Sequence, residues 1–156
     1  MIEPPRTDDL REYFLDWLRE DGFPFWPFWE NVRTWWKIRH LPNVHFVHYQ
    51  NLKNDMPKEI QRIGEFLGYD VGNMPKGKWD KIVKQCTFDY MKNNATLSTP
   101  LGGALWDGGA QVFVNKGTNK RWTDTLLPED IEAYEKRALE ELGPDCAYWL
   151  ATGIGV

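Results

Sequence analysis

The apolar positions of the N-terminal quarter recur at helical spacing in two segments. Residues 8–21 predict an amphipathic helix that Thr7 can cap and Gly22 can end. Its apolar face is formed by Leu10, Phe14, Trp17 and Leu18. Residues 29–40 predict a second helix before the break at Pro42, with an apolar face formed by Val32, Trp35 and Trp36.

The remaining pattern predicts one strand and several further helices. Residues 44–49 alternate like a strand that ends in a polar loop. Pro57 opens a helix whose apolar stripe is formed by Ile60, Ile63, Phe66 and Leu67, and Gly68 stops it. The later helices are expected at residues 79–86, at residues 88–93 and from Pro128 to a stop at Gly143-Pro144, with a loop over residues 96–109.

A single strand among many helices cannot form an α/β domain by itself. The N–H and C=O groups along its edges would lack partners. The strand must therefore pair with another chain or with a sheet that lies outside this sequence.

Composition narrows the class of protein and the kinds of site. The chain has 156 residues, a hydrophobic content of 42% and a net charge of −4. This charge argues against general nucleic-acid binding, so any anion site must be local. Two distant cysteines and three histidines lack the spacing of a disulfide framework or a metal site. The apolar runs are too short to span a membrane and no signal pattern opens the chain, so we expect a cytoplasmic protein without a membrane partner.

The segment from Asn115 to Trp122 contains the chemistry of an anion site. It holds three cations, and Gly117 allows a left-handed or closely approaching backbone. Lys116 supplies a point charge, Arg121 offers a planar fork, and N–H groups around a glycine can form an anion-binding concavity. A solvated basic loop is the alternative interpretation of the same residues.

Four segments in order resemble motifs of the cytosolic-type sulfotransferases, which transfer a sulfuryl group from 3′-phosphoadenosine 5′-phosphosulfate (PAPS) to an acceptor hydroxyl or amine. These segments are Pro24-Phe25 through Trp35-Trp36, Val44 through Leu52, Cys86 through Lys92, and Phe113 through Gly117 followed by Trp122. The likeness covers nearly all of this chain but only the C-terminal half of such an enzyme. It implies a P-loop-type three-layer α/β fold that is incomplete here, because the family builds its sheet and P-loop mainly from the N-terminal half.

The resemblance implies which residues bind the nucleotide donor. Phe88 and Tyr49 match the family's adenine-contacting residues, and Lys116 and Gly117 match its grip on the 3′-phosphate. Cys86 stands where threonine is usual, which leaves only a weak thiol donor. Asn115 stands where arginine is usual, so a charged fork becomes a neutral hydrogen bond. The predicted site is therefore Tyr49, Cys86, Phe88, Asn115, Lys116 and Gly117.

The sequence offers no catalytic residue. It contains no P-loop run, and the family's basic histidine belongs to the half that is not matched. His45 and His48 are expected on a buried strand and His40 at a helix end, which favours structural roles. We therefore expect the C-terminal portion of a PAPS-dependent sulfotransferase domain over residues 1–156, using a small-molecule acceptor and no metal, without turnover on its own.

A non-catalytic interaction protein is the alternative function. The aromatic run of residues 23–29 can form a binding surface, a wall of an acceptor pocket, or a hydrophobic wedge between two helices.

Overall fold

The computed structural model describes residues 7–22 and 27–155, and the regular structure in these stretches is helical. Its α-helices are α1 (Leu10–Arg19), α2 (Phe28–Lys37), α3 (Tyr49–Asn54), α4 (Met56–Phe66), α5 (Lys76–Gln85), α6 (Phe88–Asn93), α7 (Ala95–Ser98), α8 (Ala110–Phe113) and α9 (Pro128–Thr152). Two 3₁₀ turns lie at Pro100–Gly103 and Arg121–Asp124. The chain divides into two compact units, one formed by Met1–Asn51 with Lys120–Val156 and the other by Leu52–Asn119.

The predicted strand at residues 44–49 is wrong. Residues 44–48 belong to no regular element, and Tyr49 begins α3 instead of ending a strand. The described residues contain no other strand, so this segment has no ladder to join. The carbonyl of His48 instead accepts the N–H of Asn51 at 3.0 Å, which starts the helical turn.

Aromatic packing forms the core of the first unit, where α2 packs against α9. Trp29 is only 1% exposed, and its ring centroid lies 5.5 Å from that of Tyr134 on α9. Trp36 lies 5.5 Å from Trp149, which also contacts Phe46 at 5.0 Å between ring centroids. Phe46 of the 44–48 segment thus packs on α9 without strand pairing.

The beginning of α1 differs from the sequence prediction. Asp9, not Thr7, is the capping residue, because its carboxylate accepts the backbone N–H groups of Arg11 at 2.8 Å and Glu12 at 3.1 Å. Thr7 instead donates its hydroxyl to the Glu12 carboxylate at 2.8 Å. At the other end, the N–H of Gly22 donates to the carbonyl of Trp17, as expected for a glycine after a helix.

The break that the sequence predicted at Gly143-Pro144 is present inside α9. Gly143 has φ 75° and ψ 168°, which interrupts the helix, but the helix resumes and ends only before Gly153. Proline is well tolerated where a new helical turn starts. The resumed part carries Cys146, which is 1% exposed, so burial of its apolar face favours continuation.

An ion pair joins α1 to the start of α9. The guanidinium of Arg11 donates to both carboxylate oxygens of Asp130, at 2.6 and 2.9 Å, and Asp130 also accepts the N–H of Leu127. The hydrogen bond from Arg11 lowers the pKa of Asp130 below its usual value of 3.8, although burial opposes the shift. The same bond raises the pKa of Arg11.

The second unit contains α4 through α8. The stripe predicted for α4 is only partly buried, because Phe66 is 40% exposed and Leu67, just after the helix, 62% exposed. Glu59, which is polar, is the buried residue of this helix and accepts two hydrogen bonds from Arg62. The expected loop at residues 96–109 is also partly ordered, since it includes most of α7 and the first 3₁₀ turn.

The segment between α6 and α8 sets the start of the basic loop. α7 packs against both the 3₁₀ turn and α8. Gly103 lies so close to α8 that a Cβ atom there would be 2.2 Å from the backbone nitrogen of Ala110. This close approach requires glycine and fixes where α8, and the loop that follows it, begins.

Candidate functional site: a basic loop against a phenylalanine

Gly117 is the point at which the basic loop meets the rest of the second unit. Its φ of 60° lies in the left-handed region, and a Cβ atom built on it would lie 2.5 Å from Cδ2 of Phe88. A side chain at this position would collide with the ring. The structure therefore brings together two of the predicted site residues, Phe88 and Gly117, that are 29 positions apart in the sequence.

The link between α5 and α6 positions Phe88. Cys86 forms the C-cap of α5, and its N–H donates to carbonyls of the last turn. Thr87 caps α6 by accepting the N–H of Tyr90 at 3.2 Å, and it donates its hydroxyl to the carbonyl of Lys84 at 2.7 Å. Phe88 is therefore the first residue of a capped helix and is half-buried, whereas Cys86 is exposed.

The polar residues of the loop face solvent. Asn115 and Lys116 are both exposed, and the N–H of Asn115 donates to the carbonyl of Phe113 at 3.0 Å. An exposed ammonium beside a left-handed glycine is available to an anion that approaches from solution. Asn115 adds an amide donor but no charge.

Two lysines that the sequence prediction did not include hold this loop. Lys53 donates to the carbonyl of Gly117 at 3.0 Å. Lys92 donates to the carbonyl of Val114 and, at 2.7 Å, to that of Gln111. The sequence did carry a weak signal for both, since Lys92 ends one of the four family-like segments and Lys53 follows another.

Tyr49 belongs to the first unit, as do Lys120, Arg121 and Trp122, whereas the other five predicted site residues belong to the second. Tyr49 is the first residue of α3 and is 52% exposed. The division between the units therefore falls inside the basic segment. The part that lies with Phe88 ends at Asn119.

His48 has a structural role in the first unit. Its Nδ1 accepts the N–H of Gln50 at 3.2 Å, so its Nε2 carries the proton that it donates to the carbonyl of Leu150 at 3.0 Å. Asn51 donates its amide to the carbonyl of Gly153 at 3.0 Å. These bonds fasten the start of α3 to the end of α9.

Tyr134 and Cys146, two groups of the first unit, have shifted pKa values. Burial raises the pKa of the Tyr134 hydroxyl and of the Cys146 thiol. Over the described ranges, no cluster of three or more His, Cys, Asp or Glu side chains has the arrangement of a metal site. In the same ranges, no helix is long and apolar enough to cross a membrane.

Comparison with known proteins identifies the family. The model of the sulfotransferase domain matches residues 1–144. The chain belongs to the sulfotransferase domain family. This confirms the resemblance seen in the four sequence segments.

Curated sulfotransferases share this chain's sequence over about half of their own length. Sulfotransferase 1A1 of Rattus norvegicus is 29% identical over 147 residues, which is 94% of this chain and 48% of the relative. Sulfotransferase 1A1 of Bos taurus is 30% identical over 134 residues, or 85% of this chain and 43% of the relative.

A solved structure shows the same fold. Mouse sulfotransferase SULT7A1, complexed with PAP, superposes with a TM-score of 0.76 at 22% identity, covering 94% of this chain and 52% of its own. This confirms the predicted fold class. The helices described above thus form part of a sulfotransferase fold, without a strand in the described residues.

Proposed function

We propose that this chain supplies the adenosine 3′-phosphate side of the donor site in a PAPS-dependent sulfotransferase. Membership of the family supports sulfuryl transfer as the reaction, and the solved relative holds PAP, the desulfated donor. The proposed acceptor is a small molecule with a hydroxyl or amine. The proposed donor-binding residues of the second unit are Cys86, Phe88, Asn115, Lys116 and Gly117. Tyr49 is proposed from the sequence resemblance.

The contact between Gly117 and Phe88 is the observation that carries this proposal. A half-buried aromatic face suits a purine, because stacking on such a platform contributes about 1–3 kcal/mol per base. The adjacent Lys116 suits a phosphate, which binds ammonium groups and backbone N–H groups at glycine turns. An adenosine with a phosphate on its ribose carries both features within one small molecule.

Asn115 and Cys86 differ from the family's usual residues. We expect these two differences to change how tightly the nucleotide binds more than where it binds. Asn115 keeps a hydrogen-bond donor at the loop but loses the bidentate charge of an arginine. Cys86 keeps only a weak donor at the end of α5. Lys116 then becomes the charge on which the proposed phosphate contact mainly depends.

Calorimetric titration of the purified chain with 3′,5′-adenosine bisphosphate (PAP) tests this function. We expect binding, and we expect Lys116→Ala to weaken it by about 10-fold, because it removes a charge-assisted hydrogen bond. Lys81→Ala is the matched control, since Lys81 is an exposed lysine on α5. Absence of binding, or equal affinity for the wild type and Lys116→Ala, would reject the proposal.

Turnover is a separate question, because the chain spans about half the length of its curated relatives. Sulfuryl transfer requires a base for the acceptor and positioned charge at the leaving phosphate. Neither a catalytic histidine nor a P-loop was found in this sequence. We therefore propose that the chain alone has no turnover, and detection of sulfated product in a coupled assay would contradict this.

A further inference from the structure

We propose that Lys53 and Lys92 are positioning residues for the 3′-phosphate of the donor. Their ammonium groups hold backbone carbonyls at the two ends of the Val114–Gly117 loop, so that the loop keeps the shape in which it receives an anion. This inference rests on the proposed function and assigns two residues to it that do not need to touch the nucleotide themselves.

The contacts place one lysine at each end of the loop. Lys92 holds the carbonyl of Val114, just before Asn115, and Lys53 holds the carbonyl of Gly117, just after Lys116. The two residues proposed to meet the phosphate, Asn115 and Lys116, therefore lie between two fixed carbonyls. A loop fixed at both ends has less conformational entropy to lose when a ligand binds.

The Lys92 end is held by a reciprocal set of bonds. Besides Val114, the ammonium of Lys92 binds the carbonyl of Gln111 at 2.7 Å, and the amide of Gln111 donates back to the carbonyl of Lys92 at 3.1 Å. Lys92 is half-buried on α6, the helix that begins with Phe88. The same short helix thus carries the proposed adenine platform at one end and a loop anchor at the other.

The Lys53 end determines the direction of the peptide groups. In a trans peptide the C=O and N–H groups point in opposite directions. Holding the carbonyl of Gly117 toward Lys53 therefore turns the N–H of Thr118 the opposite way. Keeping this carbonyl on a cation also keeps its negative end away from an incoming phosphate.

Charge supports the same assignment. Three ammonium groups, those of Lys53, Lys92 and Lys116, belong to this loop or contact it. In a chain with a net charge of −4, these cations make the loop locally positive, which favours the binding of an anion.

Two nucleotides that differ only in the 3′-phosphate provide the test. Calorimetry would compare PAP with adenosine 5′-monophosphate (AMP) on the wild type, Lys53→Met, Lys53→Arg and the control Lys81→Met. We expect Lys53→Met to weaken the binding of PAP by about 10-fold and the binding of AMP by less than about 2-fold. The reason is that only the 3′-phosphate, which AMP lacks, is proposed to contact the loop. Lys53→Arg keeps a charged donor and should restore PAP binding, while Lys81→Met should change neither ligand.

Lys92→Met should show the same selective loss of PAP binding. If circular dichroism shows that Lys92→Met unfolds, the test uses the variants of Lys53, whose side chain is exposed. Equal losses for PAP and AMP in Lys53→Met would indicate a general structural role and overturn the inference. Unchanged PAP affinity in Lys53→Met would overturn it as well. A wild type that does not prefer PAP to AMP would instead reject the proposed function, and this inference with it.

Discussion

Replacing Gly117 by alanine tests the contact on which the proposed site depends. At φ 60° an alanine must adopt the left-handed conformation, which costs about 1–2 kcal/mol. Its Cβ would lie 2.5 and 2.8 Å from two carbons of the Phe88 ring. Because carbon atoms prefer about 3.5–4.0 Å, the ring or the loop must move by about 1 Å, and such overpacking costs about 1–3 kcal/mol. The expected total is about 2–5 kcal/mol.

Two glycines of the same unit separate these contributions. Gly68 has φ 82° and no atom within 4 Å of a built Cβ, so Gly68→Ala measures the left-handed conformation alone. Gly77 lies inside α5 with equally open surroundings and no positive φ. Gly77→Ala should therefore stabilise the chain by about 0.5–1 kcal/mol, because alanine favours the helix.

Urea unfolding followed by circular dichroism, with parallel PAP titrations, provides the assay. Gly117→Ala should lose more unfolding free energy than Gly68→Ala. If the loop opens to relieve the strain, the loss will appear in PAP affinity instead, where about 2.8 kcal/mol corresponds to 100-fold. If Gly117→Ala unfolds and binds like Gly68→Ala, the ring contact has no energetic role and the reasoning fails.

Three further predictions concern an ion pair, the two cysteines and the glycine that follows α9. Because Arg11 lowers the pKa of Asp130, the pair stabilises the fold above the ordinary carboxyl value of 3.8 and loses this contribution as the pH falls toward the lower folded-state pKa. Asp130→Asn should therefore flatten the acid side of a plot of unfolding midpoint against pH, and an unchanged slope would contradict this. Cys86 is exposed whereas Cys146 is buried with a raised pKa, so iodoacetamide should label Cys86 much faster in native protein, as read by peptide mass spectrometry. Equal labelling rates would show that Cys146 is accessible. Gly153 has φ 74°, and a Cβ atom at this position would lie 2.7 Å from the ring of His48. Gly153→Ala should therefore lower the unfolding free energy by at least about 1 kcal/mol in urea titrations. A variant as stable as the wild type would refute this contact.

The sequence by itself determined where the longer helices lie. Apolar spacing and the residues that favour or end helices predicted α1, α2, α4 and α6 and the start of α9 near Pro128. It also singled out the lysine-glycine loop, because cations beside a left-handed glycine form a local chemical pattern. Such features depend on residues within one or two turns of each other, which a sequence displays directly.

The tertiary structure decided which partner each segment found. Alternation at residues 44–49 indicates a strand only if another strand is present, and here Phe46 packs on Trp149 instead. Phe66 fits the helical stripe of α4 but remains 40% exposed, because periodicity defines a face without supplying a surface to cover it. Gly143-Pro144 carries a stop signal, yet burial beyond it lets α9 resume.

The candidate site shows the same division. Lys116 and Gly117 were predicted because they are neighbours in the chain, whereas Lys53 holds the Gly117 carbonyl from 64 positions away. The sequence around a lysine does not show which carbonyl its ammonium will bind. Only the folded chain brings Lys53 of α3 to the loop after α8, because such contacts depend on distances that close when the chain folds.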